Sequence, residues 1–420
     1  MYRSKHCESM PGKIADTKLA AKGRLSHEWA LRRMGIIEKI RSKNEREQPL
    51  AGLRLGICLH ITKETSVLAM AAKSLGAEIA ICSANPLSAQ DDIAAFLYEQ
   101  GMHVYAWRGE TKAQYQQCIQ SVLAFKPAIV TDDGGDLHAA AHCQQKARNI
   151  IVGGTEETTS GVKRLAALQA AGKLLYPVIA VNNARTKYLF DNRHGTGQST
   201  LDGILRATDM LLAGKNVVVC GYGWVGKGVA SRARGMGATV TVTEVDPVRA
   251  IEAKMDGFAV SRLSDAAPAG DVFITCTGQT GVIRKEHFLK MKDGAVLANA
   301  GHFDVEIDTG ALYATARPTQ VRPNVERFIV NGKRLFLLSK GRVVNLVAAE
   351  GHPPEVMALS FANQLLSILH VAKNHDKMER KVHSVPEKID EQVARYALGA
   401  MGIKIDEMTK EQRHYQASSS

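Results

Sequence analysis

The sequence predicts an α/β protein built on two doubly wound, mostly parallel sheets. Three observations carry that expectation. Short apolar runs alternate with stretches of helical periodicity from residue 53 to residue 131, the pattern of parallel strands joined by crossover helices. A complete strand, glycine turn, helix and strand unit stands apart from that series at residues 217–244. Finally, 420 residues exceed what one ordinary core organises, so two domains are expected.

The elements run in order along the chain. Residues 1–12 are polar and basic, without the apolar stretch of a secretory signal, and are expected to be disordered. Residues 16–43 read as one helix with Leu25, Trp29 and the isoleucines of 36–40 on its apolar side. Residues 53–59 read as a buried strand, 64–75 as a helix ended by Gly76, and 78–82 as the next strand. Helices over 89–99 and 114–125 flank a strand at 103–106, and 128–131 follows as a strand. Strands at 149–152 and 177–181 enclose a helix over 161–171. The polar, glycine-containing segment 182–200 joins the domains. Strands of the second domain are expected at 217–220, 239–243, 272–276, 295–298 and 335–338. Residues 355–374 read as a long helix returning to the first domain, and the tail from 386 as helices for oligomer contact. The resulting division is 1–183 with 352–385, a hinge at 184–196, a nucleotide domain at 197–351 and a tail at 386–420.

The central unit has a mechanical logic. Its first strand runs into Gly221-x-Gly223-x-x-Gly226. Gly221 permits the tight turn, Gly223 lets backbone approach a pyrophosphate, and Gly226 lets the next helix pack closely with its N-terminus toward the phosphates. Glu244, after the second strand, is placed to bind the adenosine ribose hydroxyls and to repel a 2′-phosphate. The unit reads as a Rossmann site for NAD. Roughly half the chain precedes it, so substrate chemistry must come largely from elsewhere.

Bulk composition narrows the class. Hydrophobic residues make 45% and charged residues 23%, as in globular proteins. No apolar run reaches the ~18–20 residues of a membrane helix, so no membrane partner is expected. Seven cysteines are scattered, with Cys58, Cys82, Cys220 and Cys276 in apolar strands and no metal-ligand spacing. They indicate reduced thiols in the cytoplasm and no metal. Net charge is +12, and residues 1–54 hold 13 Lys and Arg against 6 Asp and Glu. Aromatic residues do not interleave with this basic stretch, so a solvated helix face is favoured and no nucleic-acid partner is expected.

Polar clusters stand at strand ends, where open α/β sheets place their sites. His60-Ile-Thr62-Lys-Glu64-Thr65 follows the first strand, and Asn85 with Gln90-Asp91-Asp92 the second. Asp132-Asp133-Gly-Gly-Asp136, Glu156-Glu157-Thr158-Thr159, and Lys187 with Asp191-Asn192 follow later ones. Each alone reads more readily as a capped turn; five together point to one polar cleft. Lys187 and Asp191 are four apart, the spacing of a proton-transfer pair or of a plain salt bridge on a helix. His302 and His352 each follow a glycine, and His302 is expected near the nicotinamide end of the cleft.

These clusters, in this order, resemble the S-adenosyl-L-homocysteine hydrolase family from about residue 16 to residue 415. The markers are LHITKET, NPLSAQDD, DDGGDLH, GGTEETTSGV, TKYLFDN, GYGWVGKG, TEVDP, NAGHFDVEID and VVNLVAAEGHP. The stretch DNRHGTGQS resembles the archaeal and thermophilic branch. The resemblance implies reversible cleavage of S-adenosylhomocysteine to adenosine and homocysteine, with a resident NAD that oxidises ribose C3′ and is regenerated each cycle. It implies a split substrate domain around a central NAD domain, two hinges and a homotetramer. By motif, Lys187 and Asp191 handle the 3′-hydroxyl proton, and Glu157 bonds the ribose hydroxyls. Asp133, His60 and His302 transfer protons at C4′ and C5′. Thr62, Glu64, Thr65, His352, Met357 and Phe361 are implied to line the adenine and ribose pocket. Thr158, Thr159, Ser160, Asn192, Gly221, Gly223, Val225, Gly226, Glu244, Asn299 and Asn345 are implied to hold the cofactor.

The chain departs from the family pattern at identifiable positions. Thr196 replaces a frequent Cys, Ser160 the third Thr of a run, and Arg249 a common Asn. The C-terminal Lys and Tyr that reach a neighbour's NAD have no counterpart after Tyr415, so cofactor binding by that route is not expected. One branch prefers S-inosylhomocysteine and carries HLEAKT where this chain has HITKET. A carboxylate suits the amino donor of adenine and a lysine the carbonyl of hypoxanthine, so Glu64 favours adenine. A catalytically silent NAD-binding relative would be expected to lack some of the six catalytic positions, and all six are present. An ordinary dehydrogenase that releases NADH fits the glycine turn but not the motifs around it.

Overall fold

The computed structural model describes residues 12–144 and 149–418; the disorder expected over residues 1–11 lies outside them. The first seven strands are β1 (Lys13–Ile14), β2 (Arg54–Cys58), β3 (Glu78–Cys82), β4 (His103–Ala106), β5 (Ile129–Asp132), β6 (Gly153–Glu156) and β7 (Val178–Ala180). Eight more belong to the second domain: β8 (Asn216–Cys220), β9 (Thr239–Thr243), β10 (Ala259–Val260), β11 (Val272–Thr275), β12 (Ala295–Asn299), β13 (Thr319–Arg322), β14 (Val325–Val330) and β15 (Lys333–Leu338). The last, β16 (Val382–Ser384), returns to the first sheet.

The sheet orders are β1-β4-β3-β2-β5-β6-β7-β16 and β10-β9-β8-β11-β12-β15-β14-β13. Every pairing in the first is parallel; in the second only the β13–β14–β15 edge is antiparallel. In the first sheet the winding reverses between β2 and β5, in the second between β8 and β11. Each reversal opens a crevice at the strand C-termini, where this fold class binds ligands.

Three expectations are corrected. The strand expected at 149–152 lies at Gly153–Glu156, paired with β5 and β7. A Cβ on Gly153 would come within 2.6 Å of Val371, and one on Gly154 within 2.6 Å of His138. Bare backbone lets helices Pro354–Asn374 and Asp136–His142 close on β6 from either side, so the strand carries no apolar signature. The helix expected over 16–43 breaks into Ala20–Leu31 and Gly35–Asn44 at Met34, whose backbone leaves helical geometry. The break buries Met34, Ile36, Ile37 and Ile40 together and leaves Leu25 and Trp29 exposed. The tail is not separate from residue 386, because helix Glu387–Ala400 places Val393, Tyr396 and Ala397 in the first core. Only Lys410–Ser418 stands wholly exposed as the last helix.

Helix Pro354–Asn374 is the centre of that core. By length and composition its span is apolar enough to cross a membrane, but Ala362, Leu365 and Ile368 are fully buried against Ile57, Leu68 and Ile81. We expect Leu365→Ala to cost about 2–5 kcal/mol, from lost transfer energy and the cavity left behind. The check is the denaturant midpoint, which should fall while the slope of the transition is unchanged.

Candidate active site

The crevice between β2 and β5 carries the first cluster. Thr62 caps helix Lys63–Ser74 by accepting from Thr65 N at 3.4 Å, and Thr65 Oγ1 donates to the His60 carbonyl at 2.5 Å. These bonds fix the turn that presents His60. Its Nδ1 lies 2.7 Å from Ser88 Oγ, and its Nε2 faces Asp133 Oδ2 at 3.4 Å. The other Asp133 oxygen lies 3.6 Å from His302 Nδ1, so two imidazoles flank one carboxylate. His302 arrives from the second domain, after β12. It fits because Gly134, at φ +105°, has no Cβ; one there would overlap the His302 ring. Burial lowers the His60 pKa to about 4, outweighing the pull of Asp133, so the ring is neutral at pH 7.

The second cluster comes from the segment between the domains. Lys187 lies on the short helix Arg185–Tyr188, and Asp191 opens a π-turn, Asp191–Gly195. The buried Lys187 Nζ donates to Asn192 Oδ1 at 2.9 Å and lies 3.2 Å from Asp191 Oδ1 and 3.6 Å from Glu157 Oε1. Asp191 also faces His352 Nδ1 at 3.3 Å and accepts from Ser360 Oγ at 2.6 Å. Thr196 Oγ1 closes the chain, 3.2 Å from His352 Nε2. Burial pulls the Lys187 pKa down, but Asp191, Glu157 and Asp133 outweigh it and the net shift is upward. Burial likewise opposes Asp191 ionisation, yet Lys187 and His352 hold its carboxyl below the usual range. Burial pushes Glu157 up to about 8 despite Lys187. At pH 7 the cluster is therefore an ammonium, a carboxylate and a protonated carboxyl. Neither Glu157 oxygen has a hydrogen-bond partner among the described residues, so both are available to a ligand.

Glu64 is buried on the helix that Thr62 caps, with Oε1 lacking a hydrogen bond among the described residues. Burial raises its pKa; Lys63, at 3.3 Å, opposes this. Met357 is half-buried, and Phe361 lies in the first core at 3% exposure, so it backs the site from within the core. The cluster after β3 does not join the cleft: Asn85 holds Leu87 N, Asp91 holds Arg108 N, and Asp92 faces Ser26. It is turn and helix-cap chemistry, which reduces the five expected clusters to four.

Several participants were not singled out from the sequence: Ser88, Asn182, Ser360, Asn363 and Gln364. A signal existed for three of them. Ser360, Asn363, Gln364 and Ser367 recur at helical spacing inside a long apolar helix, and all are fully buried. Ser360 holds Asp191, Asn363 donates to Thr186 Oγ1 at 2.7 Å, and Gln364 donates to Thr155 Oγ1 at 2.7 Å.

Comparison with known proteins identifies the family. The family model described as S-adenosyl-L-homocysteine hydrolase matches residues 12–152, and the one described as that enzyme's NAD binding domain matches residues 192–351. The chain is 56% identical to the adenosylhomocysteinase of Sulfurisphaera tokodaii, over 97% of this chain and 98% of that protein. It is 56% identical to the adenosylhomocysteinase of Sulfolobus acidocaldarius, over the same 97% and 98%. It is 52% identical to the S-inosyl-L-homocysteine hydrolase of Methanocaldococcus jannaschii, over 96% of this chain and 97% of that one. The chain belongs to the S-adenosyl-L-homocysteine hydrolase family.

As a family member it is a hydrolase whose cofactor is NAD, and the second crevice fits that group. Gly221 turns at φ +101°, and a Cβ on Gly226 would overlap the Gly221 carbonyl. A Cβ on Gly223 would find only Arg249 Nη1 within reach, at 3.7 Å, so space for a pyrophosphate opens above helix Trp224–Gly235. Arg249 thus stands beside the phosphate turn, close to Asp246. Glu244 accepts from Tyr222 N at 2.6 Å and Val245 N at 2.7 Å, which fixes its carboxylate at the end of β9. Val225 is half-buried on the first turn of the helix. Asn345 donates to Ser199 at 3.1 Å and keeps a buried Oδ1 without a hydrogen bond among the described residues. Asn299 spends its amide on the carbonyls of Gly301, Phe303 and Gly341, and so holds the His302 loop. Thr158 caps helix Thr159–Ala170 with Ser160 at 3.3 Å, Thr159 is exposed, and Asn192 links Lys187 to Asn182.

The His60 shift has a sign that can be checked. Between pH 6.5 and about 4 the unfolded chain binds a proton that folded His60 refuses, so stability falls as pH falls through that window. The contribution amounts to at most about 3 kcal/mol. We expect His60→Gln to flatten the acid limb of the melting temperature against pH; an unchanged limb would show that His60 is not held neutral.

Proposed function

We propose that this enzyme catalyses the reversible hydrolysis of S-adenosyl-L-homocysteine to adenosine and L-homocysteine. The supporting observation is the convergence of His60–Asp133–His302 and Glu157–Lys187–Asp191 beside an NAD-binding turn. Bound NAD supplies reversible hydride uptake at ribose C3′. Glu157, protonated and with neither oxygen hydrogen-bonded among the described residues, bonds the ribose hydroxyls. Lys187 passes a proton to Asp191 and takes the 3′-hydroxyl proton in its place, so Lys187 remains an ammonium and Asp191 becomes the neutral acid that stores the proton the alcohol loses. With C3′ at the ketone level the C4′ hydrogen is acidic, and Asp133 removes it. His60 and His302, on the two oxygens of Asp133, exchange protons with the departing thiolate and the entering water at C5′. The same groups in reverse order restore C4′ and the 3′-hydroxyl, so net oxidation is zero.

The preferred base is adenine. A buried Glu64 beside Lys63 offers an acceptor to the purine amino group, whereas S-inosylhomocysteine presents a carbonyl there. Residues 1–183 with the returning residues 352–400 form the substrate domain in this reading, 184–196 is a hinge, and 197–351 carries NAD. Exposed Met401, Ile403 and Ile405 support a tail that meets other subunits of a cytoplasmic homotetramer.

Thiol release from the adenosyl and inosyl substrates, measured in parallel without added NAD, tests both levels. Faster release from the adenosyl compound is expected. Equal or faster release from the inosyl compound would overturn the base preference, and none from either, with NAD bound, would identify a silent relative. Glu64→Lys should lower kcat/KM for the adenosyl substrate by roughly 100-fold. Lys187→Ala should abolish the NADH absorbance that adenosine produces on the enzyme, and a normal signal would remove Lys187 from its role.

A further inference from the structure

Glu156 has no role in the scheme above, yet it is fully buried at the end of β6, one residue before Glu157. Its Oε1 accepts from Gly134 N at 2.9 Å, Thr158 N at 3.0 Å and Thr158 Oγ1 at 2.8 Å. Gly134 follows Asp133 and makes the room that His302 fills; Thr158 follows Glu157 and opens the next helix. One oxygen therefore ties together the two loops that present both catalytic clusters. The arrangement depends on Gly161, where a Cβ would overlap the Glu156 carboxyl.

Glu156 also has a buried acidic neighbour. The β5–β6 register sets it opposite Asp132, which is equally buried, and carboxyl oxygens of the two lie within 4.8 Å of each other and of a His138 ring nitrogen. His138 brings no charge to the pair. Its Nε2 faces the Thr155 carbonyl at 3.2 Å and must donate, leaving Nδ1 to accept from Tyr176 Oη at 3.1 Å. Arg164, the cation beside this turn, is engaged with Asp136 and the Gly134 carbonyl, while Asp133 and Glu157 add acidic groups. Two buried carboxylates without a cation between them cannot both be charged. The bonding assigns the proton. Asp132 uses both oxygens as acceptors, from Asp133 N at 2.9 Å and His138 N at 2.8 Å. Glu156 Oε2 accepts nothing among the described residues.

We propose that Glu156 is a positioning residue, held as a neutral carboxylic acid, whose Oε1 locks the Asp133–Gly134 and Glu157–Thr158 loops together while Oε2 carries the proton. Burial raises both carboxyl pKa values, Asp132 to about 7 and Glu156 well above its ordinary value, so the pair resists carrying two charges. The inference rests on the catalytic reading of Asp133 and Glu157.

Three variants of the full chain test it, assayed for thiol release, for NADH absorbance with adenosine, and for melting temperature. Glu156→Gln presents the same acceptor and replaces the hydroxyl by an amide donor; its kcat should stay within ~3-fold of wild type. Glu156→Ala should lower kcat by about 100-fold with KM little changed, as a loop displacement does. Asp132→Asn must turn an NH2 toward a backbone N–H, and should lose about tenfold. Glutamine as damaging as alanine would show that a negative charge is needed and overturn the proposal. Asparagine milder than glutamine would reverse the proton assignment, and an active alanine variant would remove the positioning role. If the alanine variant does not fold, the glutamine and asparagine pair decides alone. Absence of thiol release from wild type is the separate failure of the catalytic reading.

Discussion

Lys187 is an ammonium group with almost no exposed surface, and much of the cleft answers that fact. A charge taken out of water is stable only when a partner and enough hydrogen bonds replace the lost hydration. Asp191, Asn192 and Glu157 do so on three sides. Asp191 then needs its own support, which Ser360 and His352 supply from the helix and turn that follow the second domain. The polar contacts that start from one buried lysine therefore reach across the sequence from residue 157 to residue 360. They also set the proton inventory: one cation, one anion and one neutral acid share the space, and the anion is the group that can take up a further proton.

Close approach is the second theme, and glycine enables it. Gly134 admits His302 from the other domain, Gly161 admits the Glu156 carboxyl, and Gly153 with Gly154 lets two helices close on β6. At these places the fold is specified by a missing side chain, which bears directly on how much could be read in advance. Strands β3, β4 and β9 were legible to the residue because apolar and β-branched side chains mark their faces. Strand β6 was misplaced because its interior positions offer no side chain to count. The helix break at Met34 is not legible because a 3.6-residue pattern runs through it, and it is set by burying Met34 and three isoleucines together.

The site shows the same division. His60, Asp133, Glu157, Lys187 and Asp191 could be named from their place after strands, because open sheets gather the loops at their strand C-termini into one crevice. What the sequence could not show is partnership. Asp91 and Asp133 look alike as acids near strand ends, yet one holds a backbone amide and the other stands between two imidazoles. Asn299 resembles a cofactor ligand in sequence and serves as the scaffold of a loop in space. The polar stripe on helix Pro354–Asn374 is visible as a pattern, but only the fold shows that it faces Thr186, Asp191 and β6.

Helix Pro354–Asn374 and β16 also have a consequence for biosynthesis. Both belong to the first core and the first sheet, and both are made only after the whole second domain. The N-terminal segment leaves the ribosome with β6 uncovered on the side where Val371 will pack, and with β7 lacking its last neighbour. Domains that are contiguous in sequence fold as they emerge; this one must wait while about 170 further residues are translated, time enough at ordinary elongation rates for exposed strand edges to find other chains. The second domain, uninterrupted, has no such delay. The late helix that supplies Ser360 to the active site is thus also the piece that ends the nascent chain's most vulnerable interval.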